Sequence, residues 1–157
     1  MADQGGGRRD LAAMLHPFVR ALVAAEMPVL ARNGISMWGY IVLSALDGGP
    51  ARTQAALAQA IGADKTRIIA VLDELQDAGF IVREPDPADR RARLLSITPA
   101  GHRMRTATQS EIQANENRVL TALPAADRRA FLRAVEVLSG LPHDEIAAGP
   151  AGPDAAG

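Results

Sequence analysis

The chain has 157 residues with 17 basic and 18 acidic side chains, for a net charge of −1, and 48% of its residues are apolar. That balance predicts one soluble, cytoplasmic globular domain long enough to bury a core. The absence of cysteine excludes disulfides, thiol redox sensing and thiolate metal sites; no apolar run reads as long enough to span a membrane, and the start lacks the pattern of a secretory signal.

Residues 1–7, with Gly5-Gly6-Gly7, read as a disordered tail. A first helix is predicted over 8–32, because Leu11, Met14, Leu15, Phe18, Val19, Leu22 and Val23 recur at three- and four-residue steps. Asn33-Gly34 stops it, and Ser36 caps a second helix, Met37 to about Leu46. Asp47-Gly48-Gly49-Pro50 makes a turn. Thr53 then caps a short helix, 54–61, with Leu57 and Ile61 inward. Gly62-Ala63 follows, and Asp64 caps a fourth helix, about 65–78, with Ile68, Val71, Leu72 and Leu75 on one stripe. Gly79 ends it.

Phe80 to Arg83 has the β-branched look of a strand, Glu84 to Arg91 reads as loop, and Arg93 to Ile97 as a second strand. Thr98-Pro99 is a strong helix start, a capping threonine before a proline whose missing N–H is not needed there. A long helix over about 99–121 follows, polar on most faces from Thr106 to Asn117. Pro124 and Asp127 open a last helix to about Leu138, with Phe131, Leu132, Val135 and Leu138 on one stripe. Residues 142–157 read as a second tail, rich in Gly and Pro near its end.

The predicted fold is mainly α with a small β-hairpin wing. The unit over 36–98 is a helix-turn-helix followed by a hairpin, an arrangement that presents the start of its second helix to a DNA major groove. The outer segments, 8–35 and 99–141, carry apolar stripes longer than that unit covers, so they are expected to dimerise; a twofold dimer suits a palindromic site. Charge is unevenly spread. Residues 1–50 carry four arginines and four acids, residues 51–105 nine cations and seven acids, and residues 106–157 four arginines and seven acids. Only the middle segment is basic, and mildly.

The stretch from Ile61-Gly62 to Gly101 resembles the MarR family of winged helix-turn-helix regulators. The resemblance rests on Leu72-Asp73-Glu74-Leu75, Gly79-Phe80-Ile81-Val82-Arg83, Asp86-Pro87-Ala88-Asp89-Arg90-Arg91 and Leu95-Ser96-Ile97-Thr98-Pro99-Ala100-Gly101, in that order and spacing. It implies a homodimer that binds double-stranded palindromic DNA, as a repressor released by a small phenolic or aromatic anionic effector, with no cofactor, no metal and no catalysis.

The resemblance places Lys65, Thr66, Arg67 and Ala70 of the fourth helix in the major groove. Arginine pairs bidentately with guanine, and alanine can touch a thymine methyl. Asp64 reads as a cap rather than a base contact. The wing runs from Glu84 to Arg93; by resemblance Arg91 enters the minor groove with Asp89 holding it, while the charge of Arg90 and Arg93 suits them to phosphates instead. Arg52 and Thr53 are candidates for a phosphate contact, with capping an equal alternative for Thr53. His16, Arg20, Met37 and Trp38 are the candidate effector site, while Met14, Met27 and Tyr40 read first as core. His16, His102 and His143 lack metal-ligand spacing. Two rivals remain. An enzyme finds no linked catalytic constellation, and its glycines lie in tails and turns rather than in a phosphate loop after a strand. A winged protein-interaction module without DNA is the other; a decayed DNA binder would be expected to have lost Arg67 or Arg91, and both are present.

Overall fold

The computed structural model describes residues 8–50, 52–142, 144 and 146. The two predicted tails fall wholly (1–7) or mostly (142–157) outside those residues, as does His143. The elements in order are α1 (Leu11–Asn33), α2 (Met37–Leu46), β1 (Arg52–Thr53), α3 (Gln54–Ile61), α4 (Lys65–Asp77), β2 (Ile81–Pro85), β3 (Arg93–Ile97), α5 (Pro99–Leu120) and α6 (Ala125–Ser139). They divide into two compact units, residues 1–116 and 117–157.

The caps expected from single side chains all form. Ser36 Oγ accepts from the Gly39 N–H at 3.0 Å, Thr53 Oγ1 from Ala56 at 3.1 Å and Asp64 Oδ1 from Arg67 at 2.8 Å. α4 closes on Gly79 at φ +75°. There the Phe80 N–H donates to the Leu75 carbonyl and the Gly79 N–H to that of Gln76, both at 2.9 Å. The same pattern at Gly62, φ +65°, makes the turn between α3 and α4. The core of the first unit joins Leu43, Leu57, Ile68, Leu72, Ile81 and Leu95, each at most 1% exposed. Ile61, expected to point inward, is only partly buried at its edge.

The hairpin differs from expectation in two ways. It is three-stranded and antiparallel, in the order β1-β3-β2, with Arg52 opposite Leu95 and Thr53 opposite Leu94. Two residues are too few to show a strand period in sequence. The ladder also continues through Glu84 and Pro85, which face Leu94 and Arg93, so the loop proper begins at Asp86. Pro85 is tolerated because it ends the outer strand.

Residues 98–101 tie α5 to the end of α4. The Thr98 N–H donates to the Phe80 carbonyl at 3.0 Å, and the Thr98 hydroxyl donates to the Gly79 carbonyl at 2.7 Å while accepting from the Gly101 N–H at 3.0 Å. A side chain at Gly101 would place Cβ 2.1 Å from the Phe80 carbonyl oxygen.

α1 corrects the reading that nothing reaches membrane length. It has 23 residues, and an 18-residue window of it has a mean hydropathy of 1.3. His16, Arg20 and Glu26 interrupt it, and its stripe stands exposed: Leu11 47%, Val19 50%, Met27 51%. Met14 and Met27, read first as core, lie on this open side at 36% and 51% exposed. The window averages apolar because alanine and valine fill positions beside the stripe, which is also the composition of a helix that packs on another helix.

The far end of α1 is polar and well tied. Glu111 of α5 accepts from Arg32 at 2.9 Å and from Asn33 at 3.0 Å, and those bonds hold its carboxyl below the usual range. Further along, Asp47, just after α2, accepts from His102 at 2.6 Å and pairs with Arg105 at 2.7 Å. Glu26 and Tyr40 are both shifted upward, in each case chiefly by burial, and Glu116 adds repulsion to Glu26. In the second unit, Arg128 Nε donates to the Leu120 carbonyl at 3.1 Å and caps the end of α5. α6 has no buried residue; Leu132, Val135 and Leu138 of its predicted stripe are 47%, 44% and 53% exposed.

Two outcomes follow. Gly101→Ala destabilises the fold by about 3 kcal/mol, the upper part of the overpacking range, because the obstructing atom is backbone; urea unfolding measures this. Burial raises the Glu26 pKa in the folded state, so its ionised form subtracts stability at neutral pH. That penalty disappears as pH falls through the raised value toward the unfolded one. Glu26→Gln therefore raises the melting temperature at pH 7, and the gain vanishes in acid.

Candidate nucleic-acid interface

The turn at Gly62-Ala63 sets α4 against α3, and the core residues Ile68, Val71, Leu72 and Leu75 hold one face of α4 inward. The opposite face is therefore outward: Lys65, Thr66, Arg67, Ile69 and Ala70 are all exposed. Asp64 is committed to the helix N-terminus through its bond to the Arg67 N–H. This is the geometry of a cap, as the sequence suggested.

β1 and β3 bring the wing base beside that face. A groove of about 400 Å³ is lined by Thr53, Gln54, Lys65, Ile69, Arg91 and Arg93, among others. It thus gathers four of the sequence candidates from three separate stretches of chain. Arg52, Thr66, Arg67, Ala70, Asp89 and Arg90 are not part of its lining. Gln54 and Ile69 were not anticipated. Ile69 carried a usable signal, since it is a large apolar residue off the buried stripe of α4, and it is 47% exposed.

The wing tip is held by its acids. Asp86 Oδ1 accepts from the Ala88 N–H at 2.9 Å and Asp89 Oδ1 from the Arg91 N–H at 3.0 Å. Backbone bonds from Asp86 to Ala92 at 3.1 Å and from Ala92 to Asp89 at 2.9 Å close the loop. Asp89 therefore grips Arg91 by its backbone N–H. Among the described residues no ion pair occupies Lys65, Arg90, Arg91 or Arg93. Their charges are available for a polyanion. Arg52 and Thr53 are half-buried at the sheet edge, with the Thr53 hydroxyl engaged as a cap.

The four effector candidates are placed differently from one another. His16 and Arg20 are exposed on α1. Met37 and Trp38 are partly buried against the winged core. The Trp38 ring meets Arg67, whose guanidinium carbon lies 5.3 Å from its centroid. The polar groups that do converge in this unit are Tyr40, Asp47, His102 and Arg105, far apart in sequence and without a motif to announce them. Among the described residues no group of three or more His, Asp or Glu side chains forms a metal site.

Residues 33–92 match the MarR family. A Thauera aromatica protein assigned to transcriptional regulation of the hcr operon is 33% identical over 94 residues, which are 60% of this chain and 52% of that one, so the chain covers about half of that relative's length. The HTH-type transcriptional repressor Rv2887 of Mycobacterium tuberculosis is 27% identical over 126 residues, 80% of this chain and 86% of the repressor. Its structure in complex with DNA superposes with a TM-score of 0.72 at 24% identity, over 83% of this chain and 98% of that one; it has also been solved with p-aminosalicylic acid. MarR of Escherichia coli, without ligand, superposes with a TM-score of 0.74 at 19% identity, over 87% of this chain and all of MarR. The match to the MarR family lies on the helix-turn-helix and wing, and the fold shared with MarR structures extends through the flanking helices.

Proposed function

We propose that this protein is a transcription regulator that binds double-stranded DNA in a sequence-specific way as a homodimer. The observation that carries this reading is the groove where Thr53, Lys65, Arg91 and Arg93 converge beside the outward face of α4. A helix whose first turn exposes Lys65, Thr66 and Arg67 has the donors that base edges and phosphates accept. The wing, stiffened by Asp86 and Asp89, holds Arg91 where a narrow, electronegative minor groove attracts it. Arg52, Arg90 and Arg93 serve the backbone, and Ala70 lies one turn along α4 for a thymine methyl.

Homodimerisation supplies what α1 and α6 lack, a surface for their exposed apolar stripes. Two winged units then read successive major grooves about 34 Å apart. Bound near a promoter, such a dimer obstructs transcription. Its relative Rv2887 is a repressor, and repression is the outcome assigned to this chain. A small anionic aromatic effector, held by His16, Arg20, Met37 and Trp38, would stabilise a dimer of different helix spacing and release DNA. The relatives named above are transcription regulators, and the chain's chemistry is read as recognition rather than catalysis.

Selection from a random duplex pool at physiological salt is the direct test. An enriched inverted repeat with half-sites about one helical turn apart supports the reading. No retention, even at low salt, overturns it in favour of a protein-interaction module. With about six phosphates neutralised per dimer, log K falls against log salt with a slope near −5. Arg91→Ala weakens binding at least about tenfold and makes that slope shallower by about one. Its fold is unaffected, because its guanidinium has no partner to lose among the described residues. Titrations at two salt concentrations, with a thermal melt, check both parts.

A further inference from the structure

Trp38 is the chain's one tryptophan and the second residue of α2. It is half-buried against the winged core, so its ring is anchored rather than free to rotate away. Arg67, on the first turn of α4, places its guanidinium carbon 5.3 Å from the indole centroid, inside the range of a cation–π contact. On the same arginine, Nε lies 3.9 Å from an Asp64 carboxylate oxygen. Asp64 is itself fixed by its bond to the Arg67 N–H.

This arrangement differs from that of the neighbouring cations. Lys65 and Arg91 have no aromatic or acidic partner among the described residues, whereas Arg67 has both. Its side chain still remains 54% exposed. A guanidinium over an aromatic ring engages it with its flat face and leaves its N–H edges free. Those edges make bidentate bonds to guanine O6 and N7. An arginine already held in one direction also has less rotamer freedom to lose when it binds.

We propose that Trp38 is a positioning residue for base recognition. By holding the Arg67 guanidinium, α2 sets the base preference at the position in each half-site that Arg67 reads. The proposal rests on the DNA-binding reading above and deepens it. It makes α2 part of the recognition apparatus as well as its support.

The test selects sites from random duplex DNA with the wild type, Arg67→Ala, Trp38→Leu and Trp38→Phe. Trp38→Leu is expected to relax preference at the same base pair that Arg67→Ala relaxes, leave the other positions as sharp, and weaken the best site by about two- to fivefold. Trp38→Phe keeps a ring and restores most of that preference. A loss spread evenly over all positions, or preferences identical to wild type in Trp38→Leu, overturns the proposal. A second reading needs no DNA: Arg67→Ala shifts the fluorescence emission of Trp38 in the free protein. Unchanged emission overturns the contact, and this measurement decides even if Trp38→Leu fails to melt cooperatively. If the wild type itself selects no sequence, the DNA-binding reading falls and takes this role with it, which the emission measurement distinguishes from absence of the contact alone.

Discussion

The winged unit depends on the close approach of two backbones, where the start of α5 meets the end of α4. Thr98 bonds to Phe80 with its N–H and to Gly79 with its hydroxyl, and the same hydroxyl caps α5 by accepting from Gly101. Gly101 permits this because no side chain stands between it and the Phe80 carbonyl. Fixing that junction fixes where β3 ends and where β2 begins, since Ile81 pairs with Ile97. The wing register, and therefore the height of Arg91 and Arg93 above α4, follow from it. A glycine here is a packing requirement rather than a conformational one.

An acidic chain can still make a basic face if its acids are committed elsewhere. Asp64 caps α4, Asp86 and Asp89 hold the wing tip, Asp73 pairs with Arg83 at 2.7 Å, and Asp47 binds His102 and Arg105. Each of these carboxylates has its charge partly answered by a backbone N–H or a cation. Lys65, Arg90, Arg91 and Arg93 are left without an acid among the described residues. Net charge is thus a poor guide to the partner here; the distribution of pairing is what shapes the local potential.

The flanking helices pose the opposite problem. α1 is secured at its C-terminal end by Arg32, Asn33 and Glu111 and by the buried Val29 and Leu30, while its N-terminal two-thirds exposes leucine, methionine and valine. α6 exposes Leu132, Val135 and Leu138 of its apolar stripe, with Phe131 half-buried. Surfaces of this kind are stable when a partner covers them. The proposed dimer would couple the distance between its two winged units to the packing of these helices, the route by which the proposed effector would alter DNA affinity from a distance.

The sequence by itself determined the features that depend on neighbours in the chain. Capping by Ser36, Thr53 and Asp64, the closing glycines at 62 and 79, and the inward stripe of α4 are local matters. A side chain reaching three residues along, or a period of 3.6, decides them. The resemblance over residues 61–101 was legible for a related reason, because its motifs are the residues that the α4–wing–α5 junction needs. Tertiary structure alone decided the rest. β1 exists because β3 is there to pair with two residues too short to signal themselves. The groove exists because α3, α4 and the wing converge on it. Trp38 and Arg67, 29 positions apart in the sequence, become partners because α2 packs across the start of α4. Such contacts carry no sequence period, and only the packing of the core brings them within a few ångströms.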